Sequence, residues 1–120
     1  MPIVTIATNL PENHFMEDFN VQFTRALSEI IGKPVDRISV QLTTNARLTH
    51  AGTNQPTCTI VIKAIKAFDR DRNVKYSSSI AKFMQDTVGI LPEKCLIHFM
   101  NVDLDDISVN GTTMRILMNQ

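Results

Sequence analysis

The chain has 120 residues, and its 12 Lys and Arg balance its 12 Asp and Glu, so the formal net charge is zero. That length sets one domain, residues 1–120, with room for a core that needs no staples. The charge balance argues against a nucleic-acid or polyanion binder, which needs a basic face. No apolar run reaches the ~20 residues of a membrane span, and the start lacks the basic, apolar, small-residue order of a secretory signal. The expected address is the cytosol.

The first element is a strand, about Pro2 to Thr8, with Ile3, Val4 and Ile6 as its apolar residues. Pro2 directly follows the initiator methionine. Removal of Met1 would leave Pro2 as a free secondary amine, which is basic and nucleophilic where an amide is neither. A strand that begins at once would fix that amine inside the fold. The plainer alternative is an ordinary second-position proline. Asn9-Leu10-Pro11 breaks the strand. A helix is expected from about Glu12 to Ile31, with Phe15, Phe19, Phe23, Leu27 and Ile30 on one stripe. Gly32-Lys33-Pro34 ends it, glycine then proline. The second strand is Ile38 to Thr43, and Thr44 to Thr57 is a long polar connection containing Gly52 and Pro56.

The order then repeats. Cys58 to Ile65 reads as a strand, Phe68 to Lys75 as a charged loop, and Tyr76, Ile80, Phe83, Met84, Thr87 and Val88 as a second helical stripe ended by Gly89. Cys95 to Met100 is the fourth strand. The second half echoes the first at an offset of 57 residues, the distance from Gly32 to Gly89. Two β-α-β units are therefore expected, each a right-handed crossover with parallel strands. Side by side they give an α/β fold, a four-stranded sheet with both helices on one face. Strands so apolar would not leave the other face in water, so self-association with the sheet faces turned inward is expected, in a closed ring. Near the end, Ile107 to Val109 and Thr112 to Met114 flank Asn110-Gly111, a hairpin turn that could pair with a neighbouring subunit's edge.

Chemistry-bearing residues outside this frame are few. Cys58 and Cys95 are too few and too far apart in sequence for a disulfide framework or a zinc site, and read as buried free thiols. His14 and His50 have no ligand-spaced partners, so no metal is expected. Asp103, Asp105 and Asp106 read as a solvated acidic turn.

Several short pieces occur in order: Met1-Pro2 opening a strand, Thr8-Asn9-Leu10-Pro11, Gly32-Lys33-Pro34, a Gly52 to Pro56 loop before Ala64-Ile65, Tyr76-Ser77, and Val109-Asn110-Gly111-Thr112-Thr113. Together they resemble the macrophage migration inhibitory factor and D-dopachrome tautomerase family over nearly the whole chain. The Phe19 to Phe23 run and Ile97-His98-Phe99 resemble its nematode branch most. The resemblance implies a homotrimer whose three sheets form a barrel-like interior. It also implies a cofactor-free keto–enol tautomerase whose base is the N-terminal proline.

An α-amino group titrates near ~7.7–8.0 when unperturbed. Enclosure among Ile3, Ile65, Ile107 and similar groups would lower that value. A neutral amine could then move a proton between a carbon beside a carbonyl and another atom. Lys33 matches the residue that would anchor a substrate carboxylate such as that of phenylpyruvate; read by itself it is a solvated helix-end lysine. Ile65 aligns with a position that offers a main-chain contact. Leu96 stands where vertebrate members have a pocket aromatic. His98 stands for a substrate-contacting asparagine, and either a hydrogen bond to substrate or a plain strand histidine fits it. Val109 and Met114 also replace aromatics, so the pocket should be aliphatic. The vertebrate Cys-x-x-Cys is reduced to Thr57-Cys58-Thr59-Ile60, and no oxidoreductase activity of that kind is expected.

The resemblance also implies cytokine activity after secretion without a signal peptide, through the class II invariant chain as receptor. A vestigial enzyme serving as a secreted cytokine mimic or interaction protein is the alternative.

Overall fold

The computed structural model describes residues 1–119. Its main sheet has four strands, β1 (Ile3–Thr8), β2 (Ser39–Thr43), β3 (Cys58–Ala64) and β4 (Cys95–Asn101), in the order β2-β1-β3-β4. β1 and β2 are parallel, as are β3 and β4, while β1 and β3 meet antiparallel at the centre. The sheet is therefore mixed, and each parallel pair is one β-α-β unit. Helix α1 (Phe19–Ile31) joins the first pair and α2 (Arg70–Val88) the second.

Both helices cover the same face. Val4, Ile6, Ile60, Ile62 and Ala64 alternate along β1 and β3 and are almost wholly buried against Phe19, Phe23 and Leu27 of α1 and Ile80 and Met84 of α2. Each such large side chain contributes roughly 1.5–3 kcal/mol on leaving water. The helices lock together through Phe83, whose ring lies 6.0 Å from Phe19 and 5.7 Å from Phe23.

Two helix starts differ from the sequence expectation. The first helix does not begin at Glu12. Residues Glu12–His14 form a single 3₁₀ turn after Pro11, and Phe15 is extended (φ −101°, ψ 142°). Phe15 still joins the apolar stripe, packing edge-on to Phe19 at 5.0 Å from outside the helix. The second helix begins at Arg70, inside the stretch expected to be a loop. Asp69 caps it, one carboxylate oxygen accepting from the Arg72 amide at 2.8 Å and the other from the Arg72 guanidinium at 2.7 Å. A capped, charged first turn needs no apolar face, so periodicity could not mark it.

Both helices stop as expected. Gly32 and Gly89 are left-handed (φ 70° and 74°), and their amides bond the carbonyls of Ser28 and Gln85.

The uncovered face is not the apolar surface the sequence reading assumed. Its cross-strand rows run Ser39, Ile3, Lys63, Met100, then Gln41, Thr5, Val61, His98, then Thr43, Ala7, Thr59, Leu96. Polar and apolar groups are mixed within each row. The alternation of the strands puts the strongly apolar set on the helix side, and the pressure to bury this face is weaker than inferred.

The tail is a hairpin of β5 (Ser108–Val109) and β6 (Thr112–Thr113) around Asn110-Gly111, both left-handed (φ 57° and 79°), as a type I′ turn requires. A short helix, α3 (Met114–Met118), follows, taking up Met114, which the sequence placed at the end of the hairpin strand.

Candidate functional site

The strand register brings the N-terminus to its surroundings. Ile3 pairs with Lys63, so continuing the antiparallel ladder sets Pro2 opposite Ala64 and Met1 opposite Ile65. Pro2 is buried, and its carbonyl accepts from the Ser39 amide at 3.1 Å, which extends the β1–β2 ladder one step beyond the strand. Met1 packs against a second, smaller apolar cluster whose buried members are Ile65, Ile107 and Met114. Three residues expected in the pocket therefore meet at the start of the chain.

Each wall has its own fastening. Ile65 sits where β3 turns away, beside left-handed Lys66 (φ 48°). The Asn101 side chain clamps that turn. Its oxygen accepts from the Ala67 and Phe68 amides at 3.1 and 3.0 Å, and its nitrogen donates to the Phe68 carbonyl at 2.9 Å. Ile107 and Met114 are tied by the Met114 amide donating to the Ile107 carbonyl at 2.9 Å. Arg115 reaches back to Asp103 and Asp105, which fixes α3 to the preceding turn. Asp103 and Asp105 of the acidic turn are therefore exposed but paired, and Arg115 holds Asp105 below the ordinary carboxylate range.

The electrostatics favour a neutral amine. Burial, then the positive charges of Lys33 and Arg37, hold the Met1 ammonium, one residue before Pro2, below its usual pKa. Lys33 is positioned by the turn after α1, where the Ser28 hydroxyl donates to its carbonyl. Arg37 and Asp36 line a cavity of about 420 Å³ with Met1, Val109, Met114, Leu117 and Met118. The sequence reading found Lys33 but missed Arg37, one turn further on, and missed Asn101; a basic residue just past Lys33-Pro34 was a usable signal for the first, and nothing marked the second.

Leu96 and His98 are not brought to this cluster. Both lie on the exposed side of β4, beyond β3 from β1. Strand spacings put His98 ~12 Å and Leu96 ~16 Å from Ile3 in the same chain. Leu96 is 57% exposed. Within one chain neither touches a small molecule held at Pro2.

A larger cleft, about 540 Å³, lies between Glu12–Phe19 and Leu42 and Thr44. It is lined by Glu12 and Glu17 with no basic side chain, so it does not suit an anionic substrate. Among the described residues no group of three metal-ligating side chains converges, and no helix is long and apolar enough to cross a membrane.

A fold of paired β-α-β units with a buried proline at the head of its first strand, beside two cations, defines a narrow class. Residues 1–115 match the family model of macrophage migration inhibitory factor (MIF), and the chain belongs to that family. It is 35% identical over 114 residues to the MIF-like protein mif-2 of Caenorhabditis elegans, covering 95% of each chain. It is 26% identical over 118 residues to D-dopachrome decarboxylase-B of Xenopus laevis, covering 98% of this chain and 100% of that one. The solved structure of the Trichinella spiralis macrophage migration inhibitory factor superposes with a TM-score of 0.88 at 27% identity, over 92% of this chain and 98% of that one.

Proposed function

We propose that this protein is a cofactor-independent keto–enol tautomerase, an isomerase of phenylpyruvate- or dopachrome-type substrates, with Pro2 as its general base. The observation that carries the reading is the chain start: a buried Pro2 directly behind Met1, which packs in an apolar cluster and whose amine is held below its ordinary pKa by burial and the positive charges of Lys33 and Arg37. The relatives named for MIF and for D-dopachrome decarboxylase support the same class.

Removal of Met1 is part of the proposal. Met1 packs among Ile65, Ile107 and Met114. Its loss turns the Pro2 nitrogen into an amine and clears apolar room for an aromatic ring at the same place. The neutral amine takes a proton from the carbon beside the substrate carbonyl, and the carbonyl oxygen gains one, giving the enol; the reverse path returns the ketone. Lys33 holds the carboxylate and orients that carbon toward Pro2. The Ile65 main chain adds a contact.

Leu96 and His98 enter the pocket only from a second copy. This favours the homotrimer that the family resemblance implies, with the hairpin and α3 at the contact. Val109, Ile116 and Met118 there are 39%, 55% and 59% exposed, a concentration of apolar surface suited to a neighbour. Cytokine activity outside the cell, through the class II invariant chain, is the second reading, and the MIF names of the relatives favour it.

Purified protein of checked N-terminal mass tests the chemistry. Proline-started protein should tautomerise phenylpyruvate and dopachrome methyl ester, and Pro2→Gly should lose ~10²–10⁴-fold, the range of a general base. Folded, proline-started protein that turns over neither compound would overturn the enzyme reading. Receptor binding that survives Pro2→Gly would then leave signalling as the leading function.

A further inference from the structure

The two cysteines, 37 residues apart in sequence, face each other across the sheet. Cys58 opens β3 and Cys95 opens β4, and the parallel register pairs them directly. Both point to the helix side, at the end of the sheet away from Pro2: Cys58 pairs with Thr8, and Ile3 with Lys63. Their sulfurs are 3.6 Å apart, with the Cys58 thiol donating to Cys95. Two hydroxyls brace the strand starts. Thr57 donates to the Lys94 carbonyl at 2.7 Å, and Thr8 donates to the Thr57 carbonyl at 2.9 Å. Paired strands lie ~4.8 Å apart, inside the ~4.4–6.8 Å Cα window of a disulfide. The gap between the sulfurs is therefore closed by side-chain rotation with a small approach of the two strand starts, since a disulfide needs Cβ atoms ~3.5–4.5 Å apart.

We propose that Cys58 and Cys95 form a two-electron thiol–disulfide site that reacts with low-molecular-weight disulfides, of which oxidised glutathione is the probe. The roles follow from exposure. Cys58 is fully buried, whereas Cys95 is partly accessible. The hydrogen bond it accepts from Cys58 holds the Cys95 thiol below its ordinary pKa, and the same bond, with burial, pushes Cys58 up. Cys95 is thus the attacking sulfur and Cys58 the resolving one.

The Cys95 thiolate attacks one sulfur of the disulfide, forms a mixed disulfide and releases one glutathione thiolate. Cys58 then loses its proton and attacks the Cys95 sulfur, expelling the second glutathione thiolate. The protein gives up two electrons and two protons, and the oxidant becomes two thiols. This pair is built by strand register, not by a Cys-x-x-Cys turn, which is why the sequence reading treated each thiol separately.

The test is oxidation of the folded protein with oxidised glutathione, followed by acid quench, intact mass and peptide mapping. Wild-type protein should lose two hydrogens and both free thiols, and yield a Cys58–Cys95 linked peptide. Cys58→Ala should stop at a glutathione adduct on Cys95, and Cys95→Ala should stay unmodified. A wild-type protein that stops at the mixed disulfide, or whose thiols react only after denaturation, would overturn the proposal. So would Cys95→Ala protein that reacts as fast as wild type. The wild-type peptide map decides the matter even where a variant fails to fold. Because the readout is mass, the result is independent of any tautomerase activity.

Discussion

Asn101 is the side chain through which the fold most directly holds the wall of the site, and its removal has a calculable cost. In Asn101→Ala the Ala67 and Phe68 amides and the Phe68 carbonyl lose their partners together. Each such bond contributes ~0.5–1.5 kcal/mol net. Water reaches part of this turn and re-solvates some of the groups, so the expected loss is about 2–3 kcal/mol, less than the upper sum. Asn101→Asp separates the components. A carboxylate keeps both amide bonds and strengthens them by its charge, but it sets an oxygen against the Phe68 carbonyl 2.9 Å away. Its expected loss is about 1 kcal/mol, between Asn and Ala.

Urea unfolding at matched protein concentration measures both variants, since stability depends on concentration if copies associate. Under the proposed chemistry a looser Ile65 raises KM for phenylpyruvate before it lowers kcat. An Asn101→Ala protein within about 0.5 kcal/mol of wild type would refute the clamp, as would an Asp variant no better than Ala.

Further outcomes follow from the same structure. Lys33→Met and Arg37→Met each remove a cation that lowers the Met1 amine pKa; a freed Pro2 amine one residue along feels the same sign of charge, so its pKa should rise and the activity–pH midpoint move alkaline. Steady-state rates across pH check that direction, and a midpoint that moves acidic in either variant contradicts it. Lys33→Met should also cost ~10-fold in kcat/KM for phenylpyruvate, the worth of one charge-assisted bond, and far less for dopachrome methyl ester, which lacks the carboxylate. Phe23→Ala empties a side chain only 2% exposed and touching Phe19 and Phe83. It should destabilise by ~3–5 kcal/mol in urea unfolding. At Gly89 an added Cβ meets nothing within 4 Å, so Gly89→Ala tests backbone conformation alone. The left-handed penalty of ~1–2 kcal/mol, offset by ~0.4–1 from a stiffer unfolded chain, leaves a loss of about 1 kcal/mol in the same assay.

What the sequence disclosed and withheld divides along physical lines. Strand alternation, the Phe19-Phe23-Leu27 stripe and the Gly32 and Gly89 stops are short-range signals, and the mixed sheet and its helices follow them. The start of α2 was hidden because Asp69 and Arg72 stabilise it by capping, with no apolar period to read. The α3 helix was hidden because five residues are too few to show one. Pro2 was legible from its place behind Met1 at the head of a strand, whereas Lys33, Ile65 and Met114 were named through family resemblance; the meeting of Ile65, Ile107 and Met114 at the chain start is a property of register and of the Asn101 and Arg115 fastenings. Arg37 was missed because its role lies in a through-space field, and the Cys58–Cys95 pairing because it depends on how β3 and β4 align.

The uncovered sheet face bears on how copies would associate. Its rows mix Gln41, Thr5, Thr59, Lys63 and His98 with Ile3, Val61, Leu96 and Met100. A dry interface built on such rows would strip Lys63 and His98 of water without giving them partners, a cost that burial of the apolar members does not offset. Three sheets turned inward around a wet interior avoid that cost. The apolar contact then falls to the hairpin and α3, where Val109, Ile116 and Met118 stand exposed. This arrangement predicts that Ile116→Asp and Met118→Asp dissociate the assembly. A charge on the open face, such as Thr5→Lys, should leave the assembled mass unchanged in light scattering. If Thr5→Lys dissociated it and the α3 variants did not, the faces themselves would be the interface, and the argument from their polarity would fail.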